Sequence, residues 1–89
     1  MSWRYCAFRT RYVFSGYDEE VWDIREAYYD EDGKLTMVSA IGSHPSGDSR
    51  LELLNDVQRM AYDVEKHPTL TPKDVPGYEY GEGEVSIDE

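Results

Sequence analysis

Ser49 stands three residues ahead of Glu52, and Leu53, Val57, Met60, Ala61 and Val64 follow at helical spacing with Leu54 on the flank of the stripe. A serine hydroxyl and a glutamate carboxylate at that separation can each satisfy an orphan N–H of a helix start, which makes a capping box. Glu52, Asn55, Asp56, Arg59, Asp63 and Lys66 fall on the opposite side. Pro68 disfavours helical geometry at His67 and sets the end, so the pattern predicts one amphipathic helix over residues 50–66. A helix with one apolar stripe must lay it on something, and the rest of the chain has to supply that surface.

The surface is expected from strands. Trp3 to Phe14 is rich in aromatic and β-branched residues; Cys6, Phe8, Tyr12 and Phe14 alternate onto one face, and Trp3, Tyr5, Ala7, Arg9, Arg11 and Val13 onto the other. Gly16 and the acidic run Asp18-Glu19-Glu20 read as a loop. Val21 to Tyr29 reads as a second strand with Trp22, Ile24 and Tyr28 on one side. Asp30 to Lys34 forms a hairpin connection in which Gly33 takes the positive φ, and Leu35 to Ile41 is the third strand. The expected fold is therefore α+β: a two-layer, three-stranded antiparallel meander packed by one C-terminal helix (βββα) within residues 1–68. Residues 69–89 carry Pro72, Pro76, Gly77, Gly81 and Gly83 without periodicity and are expected to form an acidic extended tail.

The segment Ile24-Arg25-Glu26-Ala27-Tyr28-Tyr29-Asp30-Glu31-Asp32-Gly33-Lys34 resembles one found in a family of short, uncharacterised bacterial proteins. These run from a Trp- and Tyr-rich strand through a Tyr-Tyr-Asp-x-x-Gly hairpin to a Ser-capped helix and a proline. Trp3, Tyr5 and Arg9 fit the strand; Gly47, Ser49, Leu53, Leu54, Asp56, Met60 and Pro68 fit the helix. The resemblance covers residues 3–70 and departs at Ser43-His44-Pro45 and in the acidic tail. It implies the βββα arrangement and carries over no catalytic or binding residue. In architecture the expected unit is also similar to antitoxin-type subunits that pack a small sheet with one helix.

Charge bounds the function. The 89 residues carry 9 Lys and Arg against 19 Asp and Glu, a net charge of −10, spread unevenly. Residues 1–14 hold three arginines and no acid, whereas residues 15–32 hold eight acids and one arginine. Residues 69–89 hold six acids and one lysine. Direct binding to nucleic acid or to an anionic membrane is not expected, because phosphate contacts need clustered cations. No apolar run spans a bilayer, and Met1-Ser2-Trp3-Arg4-Tyr5 has no apolar signal core, so the expected location is the cytoplasm.

Metal and catalytic readings find little. Asp30-x-Asp32-Gly33 lacks the third acid and the closing glutamate of a calcium loop. Cys6, His44 and His67 are not spaced as zinc ligands, and His67 is explained by the helix C-terminus. No nucleophile, base and orienter can be grouped, so no catalytic residue and no cofactor is expected. Glu26, on an apolar strand face, is expected to pair with Arg9 or Arg11.

What remains is an acidic surface. Asp18, Glu19, Glu20, Asp30, Glu31 and Asp32, with Tyr17, Tyr28, Tyr29, Tyr78 and Tyr80 as aromatic anchors, would be steered to a basic surface of a partner protein. Where that surface normally grips nucleic acid, the chain would act as an inhibitor or nucleic-acid mimic of the anti-CRISPR kind. The alternative is an antitoxin-like or structural assembly subunit that completes its core as a homodimer or hetero-complex.

Overall fold

The computed structural model describes residues 1–87; the last two positions of the expected tail lie outside the described residues. The architecture is α+β, with an antiparallel sheet and one helix. The strands are β1 (Ser2–Phe14), β2 (Tyr17–Tyr29), β3 (Leu35–Val38) and β4 (Glu84–Val85), in the order β3-β2-β1-β4. Four strands replace the expected three, because residues 84–85 pair with Arg11 and Tyr12 of β1.

β1 and β2 form one long hairpin from Ser2↔Tyr29 to Phe14↔Tyr17, closed by Ser15-Gly16 with Gly16 at φ +75. The expected loop at residues 16–20 is therefore strand from Tyr17 onward. The acids there are held by the arginines of β1 across the ladder: Arg9 Nε donates to Glu20 at 3.2 Å and Arg11 Nε to Asp18 at 2.9 Å. Opposite charges in cross-strand reach stabilise a ribbon that propensity alone would not extend.

Helix α1 (Arg50–Lys66) starts and stops where its caps dictate. The Glu52 N–H donates to Ser49 Oγ at 3.1 Å, and the His67 N–H donates to the Asp63 carbonyl at 3.0 Å. The helix lies on the face of β1 that carries Trp3 and Tyr5. The Tyr5 hydroxyl donates to Asp56 Oδ1 at 2.8 Å, while the Tyr5 N–H at the strand edge donates to Asp63 Oδ2 at 3.1 Å. Those two carboxylates lie seven residues apart, about 10 Å along the axis, so α1 crosses the sheet near Tyr5. The Arg59 guanidinium stacks 4.1 Å over the Trp3 ring.

The opposite face of the sheet holds the apolar core of Cys6, Phe8, Ala27, Val38 and Val75, with Tyr29, Leu35, Leu70 and Tyr78 packed against it. Six of those nine residues come from the hairpin and β3; Leu70, Val75 and Tyr78 come from the segment expected to be a free tail. Leu70 bridges Phe8 in parallel, with Arg9 N–H to Leu70 O at 3.0 Å and Leu70 N–H to Ala7 O at 2.9 Å. A 3₁₀ turn at Pro72–Asp74 then brings Val75 and Tyr78 over the core. Residues 69–87 thus belong to the folded body, and the sheet lies between the helix and this C-terminal segment. The physical reason is the edge of β1, whose amides would otherwise stay open. Asp63 takes Tyr5, Leu70 takes Arg9, β4 pairs at Arg11, and Gly83 accepts from Val13 at 2.7 Å.

Candidate partner-binding surface

The strand period of two divides the run Asp18-Glu19-Glu20 between the faces. Asp18 and Glu20 point to the helix side of the sheet, where Arg11 and Arg9 neutralise them and hold both carboxyls below their ordinary range. Glu19, opposite Tyr12, points to the core side and has no ion-pair partner among the described residues. On the other flank of Tyr12 stands Glu84, so Glu19, Tyr12 and Glu84 form a row across three strands.

The C-terminal segment adds to this row. Gly83 (φ +78) sits so close to Phe14 that a Cβ there would overlap the ring, and only glycine lets β4 approach. Phe14 stacks parallel to Tyr12 at 6.5 Å, and Tyr78 meets Tyr80 edge-on at 5.2 Å. The Tyr78 hydroxyl donates to Glu84 Oε2 at 2.7 Å, and burial together with that carboxylate pushes its pKa far up. Phe14 (51% exposed), Tyr17 (64%) and Tyr80 (43%) remain open to solvent, with exposed Glu79 and Glu82 in the connecting turns. Residues 12–22 and 74–87 contain no lysine or arginine. On the core side, the distal end of the hairpin and the segment paired to it therefore present aromatic rings and carboxylates with no lysine or arginine in either stretch; Arg11 lies on the helix side, paired with Asp18.

The second acidic group lies elsewhere. Asp30 Oδ1 accepts the N–H groups of Asp32 and Lys34, both at 2.9 Å, and so shapes the β2–β3 turn. Glu31 and Asp32 are exposed on it. Twelve strand residues, about 40 Å, separate this turn from the distal end. The expected anchors beside it are committed within the chain: Tyr28 donates to Glu26, and Tyr29 accepts from Arg4 at 3.0 Å under a guanidinium stacked 4.4 Å over its ring. Glu26 thus meets Tyr28, while Arg9 and Arg11 go to Glu20 and Asp18. Asp18, Glu19 and Glu20 stand at the distal end; Tyr78 packs on Phe8 in the middle of the hairpin with Tyr80 against it, and Tyr28, Tyr29, Asp30, Glu31 and Asp32 lie at the other end. Tyr12, Phe14, Glu79 and Glu82 are the additions that sequence reading missed, although the cation-free stretches of residues 12–22 and 74–87 already marked them.

A cleft of 470 Å³ opens between the C-terminal segment and β3, lined in part by Tyr12, Arg25, Met37, Tyr78 and Glu84. Its buried Arg25 is held by Asp23 at 3.0 Å and by the carbonyls of Ser39 and Ala40, with its guanidinium 4.6 Å from the Phe8 ring. Cys6 lies fully buried under the same layer, and burial pushes its thiol up to about 11. Among the described residues no helix is long and apolar enough to cross a membrane. Comparison with protein-family models, with curated proteins and with solved structures gives no match.

Proposed function

We propose that the chain is a small, non-enzymatic, cytoplasmic binding module that docks the distal end of its hairpin on a basic surface of a partner protein. A partner whose basic surface otherwise grips nucleic acid fits this chemistry best, and the chain then acts as an inhibitor by charge mimicry. The observation that carries the reading is the distal surface itself: Phe14 and Tyr17 exposed at the hairpin end, exposed Glu19 in a row with Tyr12 and Glu84, and exposed Glu82 next to Gly83, which pairs with Val13, with no lysine or arginine in either contributing stretch. Aromatic rings supply desolvated anchors, and unpaired carboxylates steer association and set its salt dependence.

The test compares two neutralised variants against a partner recovered from host lysate. Glu19→Gln with Glu79→Gln and Glu82→Gln should weaken binding at least about tenfold at low salt and flatten its salt dependence. Glu31→Gln with Asp32→Asn, at the far end of β2, should leave both unchanged. Equal effects from the two variants, or none from the first, would sink the reading.

A further inference from the structure

Helix α1 seats only one edge of its apolar stripe on the sheet: Met60 is buried and Val64 half-buried. Its contacts with the sheet run through Asp56, Met60 and Asp63, whereas Leu54 and Val57 stand 49% and 43% exposed. At 100° per residue, Arg50, Leu54, Val57, Ala61 and Glu65 fall within an arc of about 80°, whose centre lies roughly 130° from the sheet-facing side. All five are exposed, and neither Arg50 nor Glu65 has an ion-pair partner among the described residues. The helix is held to the sheet by hydrogen bonds, a cation–π stack and the buried Met60, which leaves this seam unused.

We infer that the seam is a homodimer interface, occupied by the same helix of a second copy running antiparallel. The inference is independent of the distal docking surface. Two features of the seam select a second copy. First, its charges are self-complementary: a two-fold axis passing between Val57 and Gln58 sets Arg50 and Glu65 at equal distances on either side. Arg50 of one chain then stands level with the partner's Glu65, and the pair occurs twice by symmetry. Second, the same axis lays Leu54 over the partner's Ala61, a large side chain over a small one, as interdigitating helices require. Net charge does not oppose the contact, because the helical part is close to neutral and the excess acid lies in residues 15–32 and 69–89. One helix pair is a small interface, so dissociation in the range of about 1–100 µM is expected.

Sedimentation equilibrium of the full chain from about 5 to 500 µM should show a monomer–dimer equilibrium in that range. Arg50→Glu and Glu65→Arg, each placing like charges together twice, should each weaken the dimer about tenfold. The double swap should restore wild-type dissociation, which a merely structural defect in either variant would not do. Val57→Glu, at an exposed position, should leave a folded monomer by circular dichroism. A monomer at every wild-type concentration overturns the inference. So does a dimer that the single swaps leave unweakened, or one that the double swap does not recover.

Discussion

Tyr5 and Asp63 show how few side chains hold the helix in place. Asp63 is buried and accepts the Tyr5 backbone N–H, a strand-edge donor that no other group reaches. Asp63→Leu would leave that amide buried without a partner, at a cost of about 1–3 kcal/mol. Asp63→Asn keeps a carbonyl oxygen at the same place and should cost less than about 1 kcal/mol. Urea denaturation of the two variants measures the difference; equal losses would show that packing, not the hydrogen bond, fixes the helix. The Tyr5 hydroxyl completes the clasp on Asp56, and burial with that hydrogen bond pushes its pKa up to about 12.

Among the elements, the long hairpin sets the acid sensitivity. The Ser46 N–H and the Tyr5 hydroxyl hold the Asp56 carboxyl below its ordinary range, as Arg11 and Arg9 do for Asp18 and Glu20. Depressed folded-state values give stability that is fully present above the unfolded values, near 4, and lost as pH falls through the folded ones. The melting temperature should therefore hold level from about pH 7 to 5 and fall below about pH 4. Arg9→Gln with Arg11→Gln should flatten that fall, because removing the partners returns Asp18 and Glu20 towards their unfolded values. An unaltered acid profile in the double variant would contradict the pairing.

The helix was legible because its bounds are local: a serine cap, a proline stop and a repeat of three to four. The start of β2 was not. Asp18-Glu19-Glu20 carries the composition of a loop, and only Arg9 and Arg11, seven to eleven residues away, make it strand. Nor could alternation along β1 say which face carries the main core, since both faces hold large residues. Phe8 and Cys6 were legible as one face; that Val75 and Tyr78 cover them was not.

For the whole molecule, the C-terminal segment decides both stability and surface. Its buried residues, Pro72, Val75, Glu84 and Ile87, and half-buried Leu70 follow no helix or strand period, because they answer to side chains some sixty residues upstream. That is why it read as a tail, and why the row of Glu19, Tyr12 and Glu84 was not legible. The radius of gyration, 14.4 Å against about 12 Å for a compact chain of this length, reflects the hairpin end that this segment flanks. Residues 69–87 supply a third of the core cluster, Leu70, Val75 and Tyr78, and cover the face that Phe8 and Cys6 present. Thermal unfolding of a chain ending at Pro68, followed by near-ultraviolet circular dichroism beside the full chain, tests that most directly. The shortened chain should lose its cooperative transition and its aromatic signal; a cooperative melt within a few degrees of the full chain would show that residues 69–87 are not needed for the fold.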